Sequence, residues 1–147
     1  MIRPLLQSDY SVVTAIYSTA FDGTKNSIAA LTKTWDSRSH ENSYGIFSND
    51  KMIGFAICSF HPKTDNNSFM NLYLDYLAID TEYQGHGFGS KLLSHLIRVC
   101  FTEGRGIYLF PDSSELASWY KSFGFCETLE TDPLEGIAPY FLKCANG

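Results

Sequence analysis

Leu72-Tyr73-Leu74-Asp75-Tyr76-Leu77-Ala78-Ile79 is followed, a few residues on, by Gln84-Gly85-His86-Gly87-Phe88-Gly89 and then by Ser90-Lys91-Leu92-Leu93. The first run is apolar and strand-like. The last opens a helical stripe of Leu92, Leu93, Leu96, Ile97, Cys100 and Phe101. Strand, glycine turn and helix in that order describe a phosphate cradle. Glycines at alternating positions let the backbone approach an anion closely. The free N–H groups of the first helical turn, with the helix dipole behind them, favour negative charge there.

Other glycine motifs are excluded by spacing or by context. Gly85, Gly87 and Gly89 form G-x-G-x-G rather than the dinucleotide pattern G-x-G-x-x-G, and no acidic residue closes a second strand about 20 residues on. Gly89 is followed by Ser90 before Lys91, so the order Gly-Lys-Ser/Thr of a P-loop is missing. His86-Gly87-Phe88-Gly89 echoes an RNA-recognition strand, but the residues after it follow a helical period, so its aromatics could not lie in a row on a sheet.

The 147 residues, 44% hydrophobic and 18% charged, suit one globular domain spanning 1–147. A formal charge of −5 disfavours sequence-independent binding to DNA or RNA, which relies on Lys and Arg neutralising phosphates. No apolar run approaches the length that spans a bilayer, and the N-terminus, carrying Asp9 and Asp22, lacks the apolar core of a signal peptide. Cys58, Cys100, Cys126 and Cys144 form no C-x-x-C pair and no metal-ligand cluster with His, so no metal is expected and the thiols suit a reducing cytoplasm.

Along the chain, Ser8-Asp9-Tyr10-Ser11 can cap a helix with Val12, Val13, Ile16 and Phe21 on its apolar side, and a weaker helical stretch covers Lys25 to Trp35. Asp36 to Asn42 reads as a polar loop. Tyr44 to Ser48 and Met52 to Phe60 flank Asn49-Asp50-Lys51, a hairpin connection, and His61 to Ser68 is a turn-rich loop. Beyond the glycine turn, Gly106 to Phe110 is a short strand. Asp112 and Glu115 stand at capping-box spacing before Leu116, Trp119, Tyr120 and Phe123, and Gly124 ends that helix. Two last strands lie near Phe125 to Leu129 and Tyr140 to Cys144.

Gln84-x-x-Gly87-x-Gly89 after a strand ending in Leu77-Ala78-Ile79 resembles the acyl-coenzyme A signature of the GNAT N-acetyltransferase superfamily. The likeness extends over nearly the whole chain. Ile2-Arg3-Pro4 with Asp9, Ile16 and Phe21 is similar to the family's first strand and helix, and Asn49 to Ala56 resembles its hairpin of strands 2 and 3. Trp119-Tyr120-Lys121-Ser122-Phe123-Gly124-Phe125 is similar to its F-Y-x-x-x-G-F segment. The resemblance implies an α/β fold with a mixed, mostly antiparallel central sheet of six or seven strands, flanked by about four helices and splayed between strands 4 and 5. It implies an acetyl-CoA-dependent N-acetyltransferase that moves an acetyl group to a primary amine by direct transfer in a ternary complex. The acceptor is then a small cationic amine or a peptide or protein amine, and pairing through C-terminal strands would give a homodimer. The alternative from another class is a non-catalytic acyl-CoA-binding or sensing module.

Acyl transfer from a thioester needs a held carbonyl, a neutral amine, oxyanion stabilisation and a proton for the departing thiolate. By resemblance, backbone groups of Leu77, Ala78 and Ile79 hold the pantetheine arm and polarise the thioester. Gln84, Gly85, His86, Gly87, Phe88 and Gly89, with the Ser90 hydroxyl, take the pyrophosphate, His86 facing solvent, and Ser113 is a further coenzyme contact. Tyr120 corresponds to the family tyrosine that contacts the coenzyme and protonates the thiolate; it also belongs to an amphipathic stripe and can pack at the same time. Histone-type members carry a catalytic Glu where this chain has Tyr73, so the resemblance makes Tyr73 a catalytic-site candidate while the departure speaks against histone-lysine activity. By strand alternation Tyr73, Asp75 and Leu77 share a face, so Asp75 is the nearest carboxylate to accept the ammonium proton; a structural Asp75 is left equally open. His61 is a weaker candidate. Glu127, Glu130, Asp132 and Glu135 form either a solvated acidic loop or a patch that steers a cationic amine.

Overall fold

The computed structural model describes residues 1–21, 27–60, 71–131 and 139–143. In chain order its elements are β1 (Ile2–Pro4), α1 (Tyr10–Ala20), α2 (Ser27–Asp36), β2 (Tyr44–Ser48), β3 (Lys51–Phe60), β4 (Leu72–Ile79), α3 (Phe88–Thr102), β5 (Ile107–Leu109), α4 (Ser114–Lys121), β6 (Cys126–Thr131) and β7 (Pro139–Lys143). Short 3-10 turns, Gln7–Asp9 and Thr81–Tyr83, precede α1 and follow β4. The residues group into two compact units, one of Met1–Ser59 with Asp75–Leu96 and one of Phe60–Leu74 with Ile97–Gly147. Strand order is β1-β2-β3-β4 through the first and β4-β5-β7-β6 through the second, seven strands among the described residues. The pairs β1/β2, β2/β3, β5/β7 and β6/β7 are antiparallel, and β4/β5 is parallel. This is the expected mixed, mostly antiparallel sheet with four helices. The parallel ladder pairs Leu72 with Ile107 and Tyr73 with Tyr108 and, among the described residues, goes no further.

In the first unit, α1 buries Val13, Ile16 and Tyr17, the i, i+3, i+4 set of one helical face. Val12, expected on that face, is 40% exposed, since one residue's 100° rotation carries it off the stripe. Leu31 and Trp35 of α2 join Phe55 and Ile57 of β3 in the same core. Arg3 anchors β1 by a two-pronged bond to Asp9 (2.8 and 3.2 Å), whose carboxylate also accepts from the Leu6 N–H at 2.8 Å. The β2–β3 turn is tighter than expected: Asn49 and Asp50, at φ 51° and 65°, make it alone, and Lys51 already pairs with Ser48.

The polar stretch after α2 is the expected loop, with Ser37, His40 and Glu41 exposed, but part of it is buried. Arg38, Asn42 and Ser43 are buried. The Arg38 guanidinium lies 3.8 Å over the Trp35 ring and donates to the Trp35 carbonyl, while Ser39 N–H donates to Cys58 O at 2.7 Å. Ser43 Oγ accepts from Cys58 N–H at 3.0 Å, so the stretch docks on β3 because its polar groups find partners there.

In the second unit, α4 is capped by Ser113, whose side chain accepts from the Leu116 N–H at 3.1 Å, one residue later than the spacing of Asp112 and Glu115 suggests. The helix ends at Lys121, ahead of Phe123, and Gly124 takes φ 98° as the stop requires. Glu127 and Glu130 lie in β6 and not in a loop; Asp132 and Glu135, like His61 and the 61–68 loop, lie outside the described residues. Among the described residues no helix is long and apolar enough to cross a membrane, and no cluster of His, Cys, Asp and Glu could hold a metal.

Candidate active site

The turn between β4 and α3 is built by Gly85 and Gly87, at φ 81° and 84°, a conformation that costs any L side chain roughly 1–2 kcal/mol. α3 begins at Phe88, two residues ahead of the sequence-based start at Ser90, because Lys91 N–H already bonds the Gly87 carbonyl at 3.1 Å. Gly89 is therefore a first-turn helical residue. By helix geometry the N–H groups of Phe88, Gly89 and Ser90 precede that first bond and point out of the helix end. A Cβ built at Gly85 or Gly87 would meet nothing within 4 Å, so the backbone there is open to a ligand. Gln84, Gly85, His86 and Gly87 are exposed.

The turn is tied to the strand end by its own residues. Gln84 Nε2 donates to Ile79 O at 2.9 Å, and Gln84 N–H faces Thr81 O at 3.5 Å. Asp80 accepts from Glu82 N–H with its side chain and donates its own N–H to Ile53 O at 2.8 Å. Ile53 is the extra residue of a bulge in β3, where Phe47 pairs with Met52 and Ile46 with Gly54. Next to the bulge, Gly54 lets β4 come close: a Cβ there would lie 2.8 Å from the Ala78 carbonyl oxygen. Leu77 and Ile79 are half-buried and Ala78 is buried in the core of the first unit.

Burial alternates from Leu72 to Leu74, then breaks over the half-buried run Asp75, Tyr76 and Leu77. Asp75 accepts a hydrogen bond from Ser59 Oγ at 2.7 Å. Desolvation pushes its carboxyl up to about 7, against the opposing pull of the Ser59 bond and its own backbone. The Tyr76 phenol is raised by burial, by the Tyr17 phenol and by the nearby Asp75 charge, and it shares hydrogen bonds with Thr34 and Tyr17. Its ring stands edge-on to Tyr17 (5.6 Å between centroids) and Phe21 (6.3 Å). A titratable carboxyl thus sits beside an aromatic wall in one unit with the cradle.

Tyr73, Ser113 and Tyr120 fall in the second unit. Tyr73 packs on Tyr108 (4.9 Å) and Phe110 (6.1 Å). Tyr120 is buried against Trp119 (5.0 Å) and Phe125 (5.5 Å), and the Ser113 hydroxyl caps α4. Burial pushes the Cys100 thiol up to about 12, which keeps it protonated and poorly nucleophilic. Sequence reasoning missed Ser59, Tyr76 and Gly54. A glycine inside an apolar strand is a signal for close backbone approach and could have marked Gly54; nothing local marks Ser59.

The model of the Acetyltransferase (GNAT) family matches residues 5–125. The chain belongs to the GNAT family. Its relatives include the spermine/spermidine N(1)-acetyltransferase of Bacillus subtilis (strain 168), 33% identical over 86 residues, which are 55% of this chain and 57% of that protein. The chain thus spans little more than half of that relative's length. Among solved structures, the ribosomal-protein-S18-alanine N-acetyltransferase from Escherichia coli superposes with a TM-score of 0.71 at 22% identity, covering 97% of this GNAT chain and 90% of the other. The PaiA N-acetyltransferase from Thermoplasma acidophilum, in complex with coenzyme A, gives 0.71 at 19% identity with 98% of each chain covered. At such identities the two likenesses speak for the fold.

Proposed function

We propose that this GNAT chain is an acetyl-CoA-dependent N-acetyltransferase that acts on a primary amine in the cytoplasm. The observation that carries the reading is the cradle: two left-handed glycines, the open backbone beside them and the helix end of α3. Phosphate oxygens suit such a site, since the N–H groups of Phe88, Gly89 and Ser90 would donate to them along the helix dipole. Acetyl-CoA, when bound, supplies the activated acetyl thioester. Cys58, Cys100 and Cys126 as free thiols fit a reducing compartment.

Asp75 then removes the proton that keeps the acceptor amine from attacking. With a carboxyl near 7, about half of it is ionised at pH 7. Taking a proton from an alkylammonium of pKa about 10.4 is uphill by roughly 4–5 kcal/mol. That is a minor part of the ~16 kcal/mol barrier of a reaction turning over about ten times per second. Tyr120, from its place in the Trp119–Phe125 segment, is the proton donor to the departing thiolate. Polyamines are the first acceptors to try, on the strength of the bacterial relative and the acidic composition.

The test is free-thiol release from acetyl-CoA over polyamines, aminoglycosides, amino acids and short peptides. We expect turnover with one amine class, a kcat/KM that rises through about pH 7, and a loss of roughly 10²–10⁴-fold in Asp75→Asn. Tyr120→Phe should lose kcat more than acetyl-CoA binding. Tight binding of acetyl-CoA with no thiol release from any acceptor would favour the sensing module instead.

A further inference from the structure

We propose that Ser59 is a positioning residue for proton transfer: it locks one carboxylate oxygen of Asp75 and leaves the other to meet the acceptor amine. This rests on reading Asp75 as the proton acceptor. Ser59 lies near the end of β3, is 6% exposed, and donates to Oδ2 at 2.7 Å, a short charge-assisted geometry. A carboxylate has two oxygens and acts best as a base when its rotation is stopped; the serine holds Oδ2, and proton transfer is assigned to Oδ1. The same bond strengthens when the carboxyl ionises, so it offsets part of the desolvation that opposes the charge.

The groups around Asp75 bear this out on each side. Tyr76, its neighbour on β4, has its phenol raised, the nearby Asp75 charge being one of the causes, and Tyr17 on α1 acts on that same phenol. Thr34 on α2 is occupied with Tyr76. Arg38, the buried cation after α2, has its charge interactions with Asp36 and Asp9. The Ser59 hydroxyl is thus the side-chain donor that favours the ionised form, beside the hydrogen bond from the backbone of Asp75 itself.

The measurement is a ¹³Cγ-aspartate NMR titration of the whole chain, run beside the pH profile of thiol release with acetyl-CoA and spermidine. In Ser59→Ala the Asp75 midpoint should rise by about one pH unit, the value of one hydrogen bond to a charged group. The acid limb of kcat/KM should move with it, so that activity at pH 6.5 falls about tenfold and recovers towards pH 9. Ser59→Thr, which keeps the hydroxyl, should restore both. An unmoved Asp75 midpoint in folded Ser59→Ala overturns the proposal, as does a pH-independent loss that threonine does not rescue. Where no acceptor is turned over at all, the enzyme reading fails, while the NMR midpoints still decide whether Ser59 holds the carboxyl.

Discussion

Two aspartates in this chain respond to folding in opposite directions, and their stability profiles should show it. Burial raises Asp75 to about 7, above its unfolded value near 3.8. Below pH 4 the group is neutral in both states and costs nothing; between pH 4 and 7 the unfolded chain ionises first, and the penalty is complete above pH 7. Asp75→Asn should therefore be more stable than the wild type at pH 8, by roughly 3–8 °C in Tm for about 1–2 kcal/mol, with the gap closing near pH 4. Asp9 is lowered, chiefly by its hydrogen bond from Arg3. Its contribution is present above pH 4 and disappears as pH falls through the depressed folded value. Asp9→Asn should cost about 1–2 kcal/mol at pH 7, and progressively less as pH falls through the depressed folded value. Thermal unfolding from pH 2 to pH 9 checks both, and curves parallel to the wild type's would contradict them.

At the scale of the element, the β4–turn–α3 unit depends on glycines for two different reasons. Gly85 and Gly87 need a backbone conformation that is costly for other residues, but they have open space around them. Gly87→Glu should keep the circular dichroism of the fold while weakening acetyl-CoA binding more than 100-fold by calorimetry, because a carboxylate would occupy the anion's place; undiminished affinity would remove the cradle from the coenzyme site. Gly54 lacks space instead. Gly54→Ala must displace the Ala78 carbonyl and the Ile79 side chain, at about 1–3 kcal/mol by urea unfolding. Because Ala78 is a proposed coenzyme contact, affinity should fall as well. The turn was legible because left-handed glycines and the helix start lie next to one another in the chain. The start itself was misplaced by two residues, since the pattern cannot tell which glycine carries the first helical carbonyl.

For the molecule as a whole, a formal charge of −5 should favour cationic acceptors over neutral ones through the long-range field. The KM for a polyamine is expected to rise with ionic strength between about 20 and 200 mM salt, while that of a neutral amine stays level; equal slopes would leave charge out of acceptor choice. The order of elements, the hairpin, the central strand and the glycine turn were determined by the sequence itself, since each depends on residues within a few positions of one another. Alternation, helical period, capping and positive φ are local properties. Which groups met around Asp75 was decided only by the tertiary structure. Ser59 stands 16 residues away along the chain, and Tyr17 and Thr34, which act on the neighbouring Tyr76, are farther still. The burial of Arg38 in a polar stretch belongs to the same class. Desolvation and hydrogen bonding between distant segments depend on how the elements pack, and a change of that kind turned an ordinary aspartate into a carboxyl that titrates near 7.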